Sequence, residues 1–591
     1  MQGTGLAAII LVGISAGFPN PGTFAQVNFA AGPSGGAPGL PKVLLVGNAT
    51  SAGSATPNTV VYGPDTQTPV QTEDDVSAVT GEGSQLHRMY LRFTAVNTSL
   101  PIYLLAVAES DGAQASGSVL VTGTATSAGN IRFWCGDAFV DTGVNVGDTP
   151  TEIAANLVVS INDQVDWPIT ATSSSGVVTL TAKNHGPEGN WIKVQVLAGP
   201  TFAPASVTVS ISGVAWAADE DLTSGQFNTP SVPNGYYYKL TTLGDPAETD
   251  AQPTWPTTLG ETTEADGNGN VWTCWGTLSG AGIASLGGGA TADNYTDALA
   301  TIDPVRYRYI VLADSDATNV GRAVAQAQAQ AEPATGIRQQ VFYGSVDTLA
   351  NAITVATTIN SPQSEMQWGN ATDITPLELA ANNAAIYSLY ENSGNTGARY
   401  VGRLNFSLFP TTNPQYDDSD VWFIEGSRNG PAAGPTTAQI TSCLNNGITP
   451  IALLADGTAQ IVKRVTNRSL NGSNNDYRIR DAHKVSIMFA WADQAVYVTQ
   501  QQFGGKDLLD PPKAGGAALP PQATDTVLWG NALKDLTTQM GNAGLLQNTD
   551  TTNDAAIIQR ETDPSTRMSA LFNLQTADIF DQGCIVAQQV G

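Results

Sequence analysis

The chain has 591 residues, 41% of them hydrophobic and only 13% charged, and 25 basic against 52 acidic side chains leave a net charge of −27. Such a field repels a phosphate backbone and argues against DNA or RNA as a partner. No apolar stretch reaches the ~18 residues that a membrane-crossing helix needs, so no direct membrane insertion is expected. The length suits roughly three to five domains. The polar remainder is Thr, Ser, Asn and Gln. That fits a surface covered by neighbouring molecules, because an unpaired charge is costly to bury. It fits a secreted or surface-exposed β-protein equally.

No charged residue precedes Lys42, and Leu6, Ala7, Ala8, Ile9, Ile10, Leu11 and Val12 form an apolar run. The run reads as a donated strand or docked arm that completes the sheet of another molecule. A secretory signal core is the other reading of Leu6 to Ile14. It lacks a basic residue ahead of it, and Ser15-Ala16-Gly17 is a poor cleavage site. Residues 18–41 are a Gly/Pro-rich connector. Lys42 to Gly47, Met89 to Phe93 and Ile102 to Val107 read as buried strands. Residues 113–200 read as a β-rich insert with strands at 117–124, 131–135, 138–144, 169–172 and 177–182, and a further one carrying Ile192, Val194 and Val196. Its one helix starts at Thr149-Pro150-Thr151-Glu152, a capping box with Pro in the first turn, and buries Ile153, Leu157 and Ile161. Residues 201–280 carry Pro, Thr and Gly interruptions without a clear period.

From about 282 the pattern becomes an α/β alternation, which implies a layered sheet with helices against it. Strands are expected at 308–313 and 340–343, and helices at 319–332, 347–358 and 376–390. The 319–332 stretch alternates like a strand, but Ala and Gln favour helix. A helix over 436–446 ends at Gly447. Helix 482–499 places Val485, Met488, Phe489, Ala492 and Val496 at helical spacing. Helix 525–540 does the same with Trp529, Ala532, Leu533, Leu536 and Met540. Strands are expected at 555–560, 568–574 and 579–588, the last with Ile579, Phe580, Ile585, Val586 and, just beyond, Val590.

Catalytic signatures are missing. There is no GxxxxGK[ST] and no HExxH, and the two GxSxG strings, at Gly13 and Gly32, lie in Gly-rich sequence without the strand and helix that a nucleophile elbow needs. His87, His185 and His483 are scattered, and Cys135, Cys274, Cys443 and Cys584 have no ligand spacing, so they read as free thiols. Asp314 and Asp316 follow a strand; Mg²⁺ binding there is conceivable, but helix capping is the better reading. Asp266 to Asn270 reads as a turn rather than a calcium loop, and Asp417, Asp418 and Asp420 as a solvated cluster. No catalytic residue, cofactor or metal is expected. Lys463, Arg464, Arg468, Arg478, Arg480 and Lys484 stand out against the acidic background. They read either as locally paired with carboxylates or as a contact for an acidic partner.

Several motifs together resemble the tail sheath proteins of contractile-tailed bacteriophages, in particular the Mu-like branch. They are Pro21-Gly22-Thr23-Phe24 before Lys42 to Gly47; Thr122 to Thr126, Val146 to Thr149, Val177 to Ala182 and Gly186-Pro187-Glu188-Gly189-Asn190 in the insert; Leu286 to Ala290 before Arg308 to Val311; and Pro564 to Arg567 before Ile579 to Val590. The resemblance implies an α+β multidomain chain: a layered α/β core and C-terminal domain, a β-rich inserted domain and extended terminal arms. The expected boundaries are an N-terminal arm 1–23, core 24–112, insert 113–281, core 282–400, C-terminal domain 401–575 and C-terminal arm 576–591. It implies a structural protein of the virion tail, assembled in the host cytoplasm. Copies would stack as sixfold rings around the tail tube protein and meet baseplate and tail terminator proteins. Arms would exchange strands between copies, through Leu6, Ile9, Ile10, Leu11, Val12, Ile579, Phe580, Ile585, Val586 and Val590. Contraction would be a rigid-body switch that needs no nucleotide and drives the tube through the host envelope. The competing classes are a secreted surface-layer or adhesin-type protein and an enzyme built on the α/β part.

Overall fold

Lys42 to Gly47 does form a buried strand, Val43–Asn48, and it stands inside an eight-stranded sheet. The strand order is Thr59–Val61, Ile102–Val107, Val43–Asn48, Tyr309–Leu312, Gln340–Ser345, Ser364–Trp368, Thr449–Leu453 and Ala459–Ile461. The six inner strands are parallel, and an antiparallel strand closes each edge. Parallel strands covered on both faces read as continuous apolar runs, as VLLVGN and IYLLAV do. The computed structural model describes residues 41–577 apart from gaps, the longest being 62–68, 198–207, 245–250, 393–434 and 561–567.

Successive side chains go to opposite faces. Leu44, Val46, Leu105, Ile310, Leu312 and Val341 pack with Val320, Ala323 and Ala327 of helix Ala317–Gln330 and with Ala352 and Ala356 of helix Leu349–Ile359. On the other face Tyr309 and Phe342 meet Tyr387 of helix Pro376–Asn392, with ring centroids 6.1 and 5.2 Å apart. The Ala/Gln stretch is therefore helical as expected, with Asp316 as its N-cap, accepting from the Thr318 and Asn319 amides. Met89 to Phe93 is not a strand. It lies in helix Gln85–Thr94, capped by Ser84, where Leu86, Met89, Tyr90 and Phe93 recur at helical spacing on the buried side.

The insert is a β-sandwich of two four-stranded sheets. Strands Thr208–Ser212, Gln114–Thr122, Val177–His185 and Ile169–Ser174 form one; Ile283–Ser285, Lys193–Leu197, Gly129–Cys135 and Ala138–Val144 form the other. Helix Pro150–Asn162 packs Ile153, Leu157 and Ile161 into the same core as Ile131, Phe133, Val178 and Leu180. Its capping box is present in full: Thr149 accepts from the Glu152 amide, and Glu152 accepts from the Thr149 amide at 2.8 Å. Residues 214–277, which had no legible period, hold a separate four-stranded sheet with its own aromatic core of Tyr238, Trp272 and Trp255.

Two compact units emerge among the described residues: 42–389 with 435–480, and 390–392 with 481–577. Strand Thr449–Leu453 pairs with Ser364–Trp368 and completes the core sheet, so residues 435–480 go with the core. The second unit is built on helices Ala482–Phe503 and Thr526–Asn542. Trp491 Nε1 donates to Thr537 Oγ1 at 3.0 Å and Trp529 Nε1 to Thr499 Oγ1 at 2.9 Å, which sets the two helices antiparallel. The second helix buries Leu533, Leu536 and Met540 as expected. Of the stripe expected on the first, Val485 is buried, but the rest of the inward face differs. Ile487, Ala490, Trp491 and Ala495 meet the core, while Met488 and Val496 are exposed.

Candidate functional site

In an open parallel sheet, ligands bind beyond the carboxyl ends of the strands where the strand order reverses. That point falls at Val43–Asn48, flanked by Ile102–Val107 on one side and Tyr309–Leu312 on the other. The crevice is filled by the chain itself. The insert's turn Pro187–Trp191 places Glu188 there, and its Oε1 accepts from the Ser315 amide at 3.3 Å and the Ser315 hydroxyl at 3.2 Å. Asn190 clasps Gly289 in both directions, at 2.9 and 2.8 Å. Asn184 accepts from the Gln85 amide at 3.1 Å. Asp314 is buried and accepts from Asn319 at 2.9 Å, so of the two aspartates only Asp316 caps the helix.

Burial pushes the Glu188 carboxyl up to about 8 and Asp293 to about 6, and raises Asp314 well above the carboxylate range; the charge of Asp316 adds to the rise at all three. Glu188 Oε2 is buried without a hydrogen-bond partner. The folded state thus holds a proton on Glu188 that the unfolded chain has released above the ordinary value of 4.5. Stability falls as pH rises from there toward about 8, by on the order of a few kcal/mol. Glu188→Gln keeps the donors satisfied and removes the ionisation. The expected result, read by calorimetry between pH 5 and 9, is a flatter fall in the thermal midpoint than in the wild type; an unchanged slope would place the proton elsewhere.

The opposite case lies where helix Pro376–Asn392 meets helix Gln85–Thr94. Burial alone would raise Glu378, but Arg88 at 3.0 Å, Arg92 at 3.7 Å and the Thr375 donors hold it down at about 2. These groups line a cleft of about 440 Å³ that the insert also borders through Asp166 and Lys193.

One member of the candidate basic contact is a core residue. Arg464 is 1% exposed and ion-paired to Glu365 at 3.0 Å, so it is withdrawn from any partner. Arg468 lies 3.6 Å from Asp476. Lys463, Arg480 and Lys484 are half-buried, Lys484 lies in the second unit, and Arg478 is outside the described residues. The arm residues Leu6, Ile9, Ile10, Leu11, Val12, Ile579, Phe580, Ile585, Val586 and Val590, and the acids Asp417, Asp418 and Asp420, also lie outside them. The Asp266 loop is a turn, its carboxylate accepting from the Asn268 and Asn270 amides.

The feature that the sequence did not single out is a hairpin in the second unit. Ile557–Arg560 pairs with Met568–Leu571 and, among the described residues, with nothing else. Its inner face sits on helix Thr526–Asn542, where Gly530 lets Ile558 approach; a Cβ there would lie 2.5 Å from Ile558 Cδ1. Its outer face pairs Ile557 with Leu571, 56% and 55% exposed. An isolated two-stranded hairpin is marginal, and open edges beside an apolar pair form a template for added strands. Both strands were legible in the sequence; their exposure was not, because alternation does not say which face is left uncovered.

No family model matches the chain. The resemblance to Mu-like tail sheath proteins is borne out over part of it. A stretch of 176 residues is 33% identical to the Mu-like prophage FluMu tail sheath protein of Haemophilus influenzae, covering 30% of this chain and 35% of that protein's length. Two crystal structures overlap nearly the whole chain at 12% identity. The sheath tail protein Lin1278 from Listeria innocua has a TM-score of 0.39, with 94% of this chain and 96% of that one covered. The sheath tail protein DSY3957 from Desulfitobacterium hafniense has a TM-score of 0.37, with 94% and 100% covered. At such scores the α+β multidomain architecture stands on the sheets described above.

Proposed function

We propose that this chain is the structural subunit of a phage contractile tail sheath, a polymerising protein rather than an enzyme. The observation that carries the reading is the hairpin Ile557–Arg560/Met568–Leu571, open at both edges among the described residues and with the exposed apolar pair Ile557 and Leu571 on its outer face, in a chain whose sequence also holds uncharged stretches at 6–12 and 582–590 with strand-prone residues. Such segments from neighbouring copies add strands to the hairpin and turn a marginal two-stranded sheet into a stable one. Exposed Met488 and Val496, and Val527 and Leu528 on the other helix, give further apolar area for neighbours to cover. The identity to a tail sheath protein supports the same reading. The switch-point crevice argues against an enzyme, because Glu188 enters the place where an α/β sheet receives a ligand.

In the proposed sleeve, copies stack as sixfold rings around a tail tube and end on baseplate and terminator proteins, in a virion tail assembled in the host cytoplasm. Head-to-tail contacts of this kind do not close and so grow helically. Strand exchange keeps copies linked while the rigid bodies between links rotate, which suits contraction from a metastable to a lower-energy packing. Electron microscopy of the purified chain tests it. Tubes are expected, and deletion of residues 579–591 abolishes them; a full chain that stays solitary at high concentration refutes the sleeve.

A further inference from the structure

We propose that Glu73, His87 and Asp166 form a divalent-cation site that clips the inserted β-sandwich to the core helices, and that its donor set suits zinc. Glu73 lies in the first turn of helix Glu73–Thr80, His87 on helix Gln85–Thr94, and Asp166 in the loop after the insert's helix Pro150–Asn162. One ligand atom from each falls within 4.8 Å of the other two. The three residues are distant in sequence and no spacing motif joins them, so the sequence gives no sign of a metal.

The second observation is His87 itself. It is fully buried, and its Nδ1 accepts from the Gly83 amide at 3.0 Å. That leaves the ring proton on Nε2, which is buried with no hydrogen-bond partner. A buried donor without an acceptor costs free energy. Nε2 lies 3.9 Å from Glu73 Oε1, and Asp166 Oδ1 lies 3.8 Å from Nδ1. The Nε2 to Glu73 distance is within the roughly 4.2 Å that two metal–ligand bonds of ~2.1 Å can span. An ion on Nε2 replaces the orphaned proton.

The surroundings fit a cation. Glu73 and Asp166 are 54% and 48% exposed, which opens a route from solvent and leaves room for water ligands. Glu82 adds a third carboxylate nearby. Among the described residues the opposing charge is Lys183, whose Nζ is held by the Glu82 and Val165 carbonyls at 3.0 and 2.6 Å. One imidazole with two carboxylates and water is a zinc-type donor set; Mg²⁺ and Ca²⁺, which take oxygen ligands, gain nothing from the imidazole.

The test does not depend on the assembly reading, since it is made on the full chain whether solitary or in tubes. Protein stripped of metal is loaded with zinc chloride, dialysed, and assayed for zinc by mass spectrometry. One equivalent is expected to remain and to raise the thermal midpoint, with no retention of Mg²⁺ or Ca²⁺. Glu73→Gln with Asp166→Asn changes only half-exposed side chains and leaves the Gly83–His87 contact intact. It is expected to fold with the wild-type circular dichroism spectrum and to lose the bound equivalent. Zinc retained equally by this variant, or not retained by the wild type, overturns the site.

Discussion

Arg464→Met is expected to destabilise the core unit by about 3–5 kcal/mol, because it leaves a buried carboxylate without its counter-charge. Arg464 Nη1 donates to Glu365 Oε1 at 3.0 Å and Nη2 to the Asn383 carbonyl at 2.8 Å, with the guanidinium 5.3 Å from the Tyr387 ring. Glu365, fully buried on an inner strand, also accepts from Asn383 Nδ2 at 3.1 Å and Thr449 Oγ1 at 3.2 Å. One ion pair thus ties together strands Ser364–Trp368 and Thr449–Leu453, helix Pro376–Asn392 and the segment after the sheet's last strand. Burial pushes the Glu365 carboxyl up, and Arg464 with the neutral donors opposes it. Adding Glu365→Gln to Arg464→Met removes the stranded charge while the amide oxygen still accepts from Asn383 and Thr449. The double variant is therefore expected to recover most of the loss. Calorimetry on both variants decides the matter: a single variant as stable as the wild type, or a double variant no better than the single, would mean that the pair does not hold the sheet together.

What the sequence made legible follows the physics of each segment. Elements with a cap and a strict period were readable to within a residue or two. The insert helix, with Thr149, Pro150 and Glu152 ahead of Ile153, Leu157 and Ile161, is one, and strands Ala138–Val144 and Ile102–Val107 are others. Helix Gln85–Thr94 was misread because Met89 to Phe93 is a short apolar run, which strands and buried helices share; the Ser84 cap was the signal that separated them. The inward face of helix Ala482–Phe503 was legible at Val485 but misread beyond it because two adjacent apolar stripes lie on it, and only the partner helix selects Ile487 and Trp491 over Met488 and Val496. The destination of Arg464 was hidden for a different reason. Its partner lies on a strand ninety-nine residues away, so the cluster looked like a surface when one member is a core residue. The crevice acids, the open hairpin and the Glu73, His87 and Asp166 constellation are likewise products of topology, which brings together residues that no local pattern connects.

Ile557→Lys combined with Leu571→Glu is expected to abolish tube formation while leaving the subunit folded. The two positions face each other across the hairpin, so an opposite-charge pair replaces an apolar pair and the strands stay matched. Both side chains are more than half exposed, so the isolated subunit should change by less than about 0.5 kcal/mol. In the proposed polymer the same side chains are covered by a neighbour's strand. Each full burial contributes about 1.5–3 kcal/mol, and loss of two weakens a contact by roughly a hundredfold or more. Every copy in a sleeve repeats the defect, so the protein concentration needed for tubes should rise by at least about that factor. Thermal unfolding of the solitary variant and electron microscopy over a concentration series read the two halves separately. Tubes at the wild-type concentration would mean that the hairpin is not where neighbouring strands add. A variant that fails to fold would mean that Ile557 and Leu571 support their own subunit instead.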